Sequence, residues 1–263
     1  MAAEPGHCFA VMAYGDSPFL SGCLESVRAQ GRPSELIVTT STPSQFIEAA
    51  AKAAGATLHI NPRRAGIAAD WNFALRVTGA QYVTLTHQDD VYFPTYKQTC
   101  VDLLNANQDA VLAFTGYEEI DDAGQPVSSR ISIVKHALET VILGTASKPT
   151  KTRIKWFLSF GNPLPCSSVT FNRRRLGDFE FSHEFRSNLD WDAWLRLAEQ
   201  GEVFVRSPRR LVGRRHNSLT ETANAIREGV RHREDLAIFR RLWVSPFAEM
   251  ISAAYRLGYA QGK

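Results

Sequence analysis

The segment Thr86-His87-Gln88-Asp89-Asp90-Val91-Tyr92 sets an imidazole, an amide and two adjacent carboxylates directly after a run of β-forming residues. Carboxylates so paired can take an oxygen-loving divalent cation, Mg²⁺ or Mn²⁺, which in turn can bridge the phosphates of a nucleotide. A solvated acidic loop is the plain alternative. In a second cluster, Ser187-Asn188-Leu189-Asp190-Trp191-Asp192-Ala193-Trp194-Leu195-Arg196-Leu197, Asp190 falls where coil turns into helix. There it can cap the helix by accepting an amide hydrogen bond. It can also act as a general base on an attacking hydroxyl, because a carboxylate fixed at a helix entrance has the reach and rigidity for proton removal. Asp192 competes for the cap. Trp191, Trp194 and Leu197 read as core, with one indole available to stack on a sugar ring. The third cluster, Arg214-Arg215-His216-Asn217-Ser218, surrounds a histidine with cations and small polar groups, company that suits a phosphate-rich site. The other histidines lack such neighbours.

A scaffold must bring these clusters together, and the first 120 residues describe one. Short β-rich runs at 8–14, 35–39, 57–60 and 82–86 alternate with helical patterns closing near Gln30-Gly31, at Gly55 and at Val77. This is the sequence form of βαβ units feeding a mostly parallel sheet. In open α/β sheets the carboxyl ends of the strands open onto the ligand crevice, so the Asp89-Asp90 pair falls where a ligand would bind. Beyond Pro94 the pattern predicts a helix, the strand AVLAFTGYEEI and a turn at Asp121-Asp122-Ala123-Gly124. Residues 128–165 are less regular and are expected to form a flexible connection over one sheet edge. SSVTF resumes strand character, a helix follows from Trp191 to Gln200, and VFVR and RRLVGRR read as two further strands. The last fifty residues keep a helical period with arginines opposite the apolar stripe.

Taken in order, the motifs are Ala13-Tyr14-Gly15-Asp16, then Phe19-Leu20-x-x-Cys23-Leu24-x-Ser26-Val27-x-x-Gln30, then Asn61-x-x-x-x-Gly66-Ile67-Ala68-x-Asp70-Trp71-Asn72-x-Ala74, then His87-Gln88-Asp89-Asp90, and then Asp190-Trp191-Asp192-x-Trp194-Leu195-Arg196-Leu197. This series resembles the family 2 glycosyltransferases over roughly residues 8–220. The resemblance implies an α/β fold of GT-A type, a Rossmann-like, mostly parallel central sheet flanked by helices. It implies a nucleotide-sugar-binding half (1–120), an acceptor-binding, catalytic half of the same domain (121–220) and a C-terminal helical extension (221–263). The implied activity is inverting and metal-dependent, moving a sugar from a nucleotide diphosphate donor, a UDP- or dTDP-sugar, to a hydroxyl of a glycan or lipid-linked acceptor in bacterial-type glycan or glycoconjugate synthesis.

By position in the family pattern, Ala13, Tyr14, Asp16, Thr40 and Ser41 would meet the base and ribose. Asp70 and Asn72 would lie beside the diphosphate and sugar, and Asp89 would touch the ribose or donor sugar. Asp90 would ligate Mn²⁺ or Mg²⁺, His216 would contact metal or diphosphate, and Asp190 would be the base. Two positions depart from the pattern. Thr39-Thr40-Ser41 stands where many members carry an acid for the uracil or ribose, and Gln88 replaces one of the acids of the metal signature.

Composition narrows the rest. The 263 residues are 44% hydrophobic, enough to bury a full core, which excludes disorder as the dominant state. The net charge of +3 is spread, so no nucleic acid partner is called for. No apolar run reaches the roughly 18 residues of a spanning helix, and MAAEPGHC lacks the plan of a signal peptide. The expectation is a soluble, unprocessed, cytoplasmic protein. Cys8, Cys23, Cys100 and Cys166 form no C-x-x-C and read as reduced, buried thiols. Three readings compete for the C-terminal helices: a packed appendix, a dimer contact, or a helix lying on the inner face of an anionic membrane near a lipid-linked acceptor. Two rival functions remain. A nucleotide-sugar-binding module without catalysis is suggested by Gln88. A sugar nucleotidyltransferase would need a Gly-rich basic loop after the first strand, which Ala13-Tyr14-Gly15-Asp16-Ser17-Pro18 does not supply.

Overall fold

Strand β1 (His7–Ala13) is buried along nearly its whole length, as expected of a strand covered on both faces. The computed structural model describes residues 6–31, 34–215 and 221–260, so His216 lies outside the described residues. From β1 the chain runs through α1 (Leu20–Arg28), β2 (Glu35–Thr40), α2 (Gln45–Ala53), β3 (Thr57–Ile60), α3 (Ile67–Val77) and β4 (Tyr82–His87). These four strands pair in parallel in the order β3-β2-β1-β4. Helix α1 buries Leu20, Cys23, Leu24 and Val27, one stripe at helical spacing. Ser44 caps α2 by accepting the Ile47 amide at 3.2 Å.

The sheet does not stop there. After β5 (Val91–Tyr92) and α4 (Tyr96–Ala106) come β6 (Ala110–Ile120), the short β7 (Pro126–Val127), α5 (Arg130–Leu143), α6 (Lys151–Ser159), β8 (Val169–Asn172) and α7 (Arg173–Leu176). Then follow α8 (Leu189–Glu199), β9 (Val203–Arg215), α9 (Glu221–Arg227), α10 (Val230–Leu242) and α11 (Phe247–Ala260). Antiparallel β8 wedges between β4 and β6, β9 lies parallel to β6, and β5 closes the order β3-β2-β1-β4-β8-β6-β9-β5. Two apolar cores sandwich this sheet. Phe9 and Val11 face Leu20, Leu24 and Ile47 on one side, while Cys8 and Ala10 face the layer containing Trp191, Trp194 and Phe239 on the other.

Three expectations are corrected. Residues 128–165 are not an irregular connection, because α5 and α6 occupy most of them. Helix α5 opens on a reciprocal Ser129–Ser132 capping box, yet it exposes Ile133, Val134 and Val141, so its apolar residues fall in no single stripe and the helical period was hidden. VFVR and RRLVGRR belong to one strand, β9. Its pairing with β6 jumps from Thr115–Ser207 to Gly116–Arg210, leaving a bulge at Pro208-Arg209 that reads as a break because proline donates no ladder bond. Gly116 is required there, since a Cβ would sit 3.0 Å from the Pro208 carbonyl oxygen. Trp191 and Trp194 cannot stack on a sugar: both are fully buried, their indoles donating to the Leu158 and Leu164 carbonyls.

Helix α10 packs Phe239 edge-on against Trp191 at 5.0 Å, and Tyr255 of α11 packs against Phe239. Val244, Phe247 and Met250 remain exposed at the start of α11. Among the described residues no helix is long and apolar enough to cross a membrane. All four cysteines are free and buried.

Candidate active site

A cleft of about 800 Å³ opens at the carboxyl ends of β1, β2 and β4, where the parallel strands meet the loops before α3 and α8. Each strand delivers residues from its carboxyl end to it. On β2 and its exit Thr39 and Ser41 line the cleft, whereas Thr40 points to the other face and binds Thr42. Asp70, one turn into α3, accepts Ser41 Oγ at 2.9 Å and Asn61 Nδ2 at 2.8 Å, tying together the exits of β2 and β3. Tyr14 stands exposed at the rim, its hydroxyl held by Arg64 at 3.0 Å. Asp16 accepts Ser44 Oγ at 2.6 Å.

Gln88 explains its own departure from an acidic residue. Its amide accepts the Tyr14 N–H at 3.1 Å and donates to the Tyr14 carbonyl at 2.9 Å, a two-way clamp that a carboxylate cannot make because it has no proton to give. Gln88→Glu keeps the acceptor but loses the donor, and is therefore expected to loosen the Tyr14 backbone at a cost of about 0.5 to 1.5 kcal/mol. A melting temperature equal to the parent's would show the clamp idle.

The Asp89-Asp90 turn is held from β9. Arg215 donates its backbone N–H to Asp90 Oδ1 at 2.9 Å and its Nε to the Asp89 carbonyl at 2.9 Å, while its guanidinium lies over the Phe19 ring. Arg215 is thus occupied in building the turn, and Arg214 faces the cleft. Asp90 is only 2% exposed, yet among the described residues its Oδ2 has no hydrogen-bond partner, and neither does the buried Nε2 of His87. One ligand atom from each of His87, Asp89 and Asp90 falls within 4.8 Å of the others. Burial pushes Asp89 up to about 6, helped by the neighbouring Asp90 charge. Burial also raises Asp90, against the Ser167 hydroxyl and two arginines, and lowers His87, leaving a neutral imidazole with a free lone pair. Two orphaned ligand atoms beside a carboxylate are costly to bury alone, and a divalent cation would satisfy both.

Across the cleft, Asp190 lies in the first turn of α8. Its Oδ1 accepts the Trp191 N–H at 2.9 Å, and among the described residues no hydrogen bond engages the other oxygen. The Cys166 thiol is pushed up by burial and by the charges of Asp190 and Asp90, so both carboxylates act on one space. The helix entrance is fixed from elsewhere: Glu234 of α10 accepts the backbone N–H groups of Arg186, Ser187 and Asn188 at 2.7, 2.9 and 2.9 Å. Arg231 holds the Ser187 carbonyl at 2.9 Å, and Asn188 donates to Asp235 at 2.9 Å.

Residues 8–176 match the model of glycosyl transferase family 2. The chain belongs to that family. Solved structures share the GT-A fold. A mannosyltransferase from Pyrobaculum calidifontis, in complex with GDP-Man and Mn²⁺, is 17% identical, with 99% of this chain and 71% of that chain covered and a TM-score of 0.66. S. aureus TarS 1–349 with UDP-GlcNAc is 14% identical over 98% of this chain and 73% of that one, at a TM-score of 0.65. Glucosyl-3-phosphoglycerate synthase from Mycobacterium tuberculosis, with Mn²⁺, UDP and glucosyl-3-phosphoglycerate, is 16% identical over 92% and 82%, at 0.60. No curated protein matches the chain in sequence.

In this family 2 chain, Ala13, Tyr14, Asp16, Ser41, Asp70, Asp89, Asp90 and Asp190 converge on one cleft. Thr40 does not join them, and neither does Asn72, whose amide is buried and spent on both backbone groups of Phe181. Asp192 is neither cap nor base: it is buried, with Oδ2 bound by Arg196 at 2.8 Å and Oδ1 by Arg241 at 2.7 Å. Asp192→Ala is expected to lose about 2 to 4 kcal/mol, less than for a fully buried pair because both arginines can reach water. A fall in Tm of several degrees checks this, and an unchanged Tm would show the pairs to be idle. The sequence reading missed Lys135, which lay in the stretch taken as irregular, and Glu234 and Arg231, hidden in a helix whose arginines read as a solvated face.

Proposed function

We propose that the chain is an inverting glycosyltransferase that moves a sugar from a nucleotide diphosphate donor to an acceptor hydroxyl. The observation that carries this reading is Asp190, with one oxygen disengaged, facing across a single cleft the unpartnered ligand atoms of His87 and Asp90. Tyr14, Asp16, Ser41 and Asp70 form the rim that would receive the base and ribose of a UDP- or dTDP-sugar. Two hydroxyls and two carboxylates offer it hydrogen bonds without choosing among bases. His87, Asp89 and Asp90 would hold Mn²⁺ or Mg²⁺, and when bound the cation would offset negative charge growing on the leaving diphosphate. Asp190 accepts the proton of the acceptor hydroxyl as that oxygen forms its bond to the anomeric carbon from the face opposite the diphosphate, which inverts the configuration. Arg215 keeps the Asp89-Asp90 turn from swinging away, and Glu234 does the same for the entrance of α8. The segment 121–220 would supply most of the acceptor side.

A thermal-shift screen of nucleoside diphosphates and nucleotide sugars with Mn²⁺ tests the reading. A ligand present at a hundred times its Kd adds about 2.7 kcal/mol of stability. Transfer should release nucleoside diphosphate. Pyrophosphate as the product would establish a nucleotidyltransferase instead, and nucleotide-sugar binding with no turnover would leave a binding module.

A further inference from the structure

On the acceptor side of the cleft three cations arrive from three elements: Lys135 from α5, Arg214 from β9 and Arg231 from α10. The two arginines are paired with carboxylates that do not line the cleft, Glu119 at 3.8 Å from Arg214 and Asp235 at 3.4 Å from Arg231. Lys135 has no carboxylate within ion-pair distance among the described residues. Its ammonium lies 5.8 Å from the centre of the Tyr255 ring. Arg186, which also borders the cleft, is by contrast paired with Glu221 and Glu228.

We propose that the acceptor carries a phosphate group, bound among Lys135, Arg214 and Arg231 next to Asp190. This rests on the glycosyltransferase reading and names the class of its second substrate. Three cations held apart by their own scaffolds suit an oxyanion with three peripheral oxygens better than a two-oxygen carboxylate. Gathering three cations at one place is unfavourable, and Lys135 records that cost. Lys135 is pushed down to about 7, first by burial and then by Arg214 and Arg231. A phosphate would relieve the repulsion and restore the ammonium. The place adjoins the Asp89-Asp90 turn, whose carboxylates feel Arg214, and extends from there toward Asp190. The acids acting on Lys135 are Glu119 and Asp190, and Arg231 grips Ser187, three residues before Asp190. An acceptor anchored there by its phosphate would present a hydroxyl to Asp190.

The test uses the full chain saturated with Mn²⁺ and whichever nucleoside diphosphate it binds, so that the donor site is closed to phosphate. Calorimetry then compares glycerol 3-phosphate, decyl phosphate below its micelle concentration, and glycerol. Both phosphates should bind and glycerol should not. Lys135→Gln should weaken them by about tenfold or more while nucleotide affinity stays within about twofold, and Lys135→Arg should restore them. Decyl phosphate binding about tenfold tighter than glycerol 3-phosphate assigns the phosphate to a lipid-linked acceptor, and equal binding assigns it to a soluble one. Phosphates that bind no better than glycerol, or as tightly to Lys135→Gln as to the parent, overturn the proposal and leave the transferase reading standing. Failure of every nucleoside diphosphate to bind with Mn²⁺ overturns both.

Discussion

Asp190→Asn is expected to lower kcat by about two to four orders of magnitude, with nucleotide affinity and melting temperature nearly unchanged. The substitution separates two roles. A helix-entry acceptor needs only an oxygen, and asparagine keeps one for the Trp191 N–H that Asp190 now accepts. A base needs a titratable carboxylate, which asparagine lacks. The structural contribution at risk is small, about 0.5 to 2 kcal/mol for losing a cap altogether. It is smaller still here because Glu234 already binds three amides at that helix entrance. No other acid on this side can inherit the role. Asp192 is buried between two arginines, Glu221 is held by Arg186, and Glu184 does not line the cleft. Transfer within a few-fold of the parent would remove Asp190 as the base.

The first 120 residues were legible in the sequence because their signals are local. Strand β3, helix α3 and strand β6 fall where 57–60, 67–77 and 110–120 predict them, since turn-forming residues bound each run. The cleft residues at strand ends follow from the parallel topology. What escaped depends on side chains distant in sequence. Thr40 and Ser41 were treated alike, although Ser41 lines the cleft and Thr40 turns to Thr42. Gln88 looked like a lost ligand because its partner, the Tyr14 backbone, lies 74 residues away. Glu234 and Lys135 carried no motif at all, and only the packing of α10 and α5 brings them to Asp190.

Asp90→Asn should abolish the gain in nucleotide affinity that Mn²⁺ confers, a loss of several kcal/mol, and EDTA should reproduce the defect in the parent. The fold should survive. Asparagine keeps an oxygen for the Arg215 N–H, and removing a buried charge that lacks a full set of partners relieves strain on the folded state, so Tm should hold or rise. Nucleotide binding equally tight in EDTA and in Mn²⁺ would overturn the assignment. The pH dependence has a definite sign. Asp89, pushed up to about 6, is ionised above that pH and protonated below it. Protons then compete with the cation, and Mn²⁺-dependent nucleotide affinity should fall as pH is lowered through about 6.

The anchoring of the α8 entrance by Arg231, Glu234 and Asp235 also makes the cleft depend on chain made late in synthesis. Domains fold as units, and Ile238 and Phe239 of α10 and Ala248 of α11 belong to the same core as Trp191 and Trp194. All nine strands precede α10, yet a chain cut short before α10 would bare that core and leave the loop before Asp190 untied. The geometry of the cleft therefore waits on residues that are made after the whole sheet.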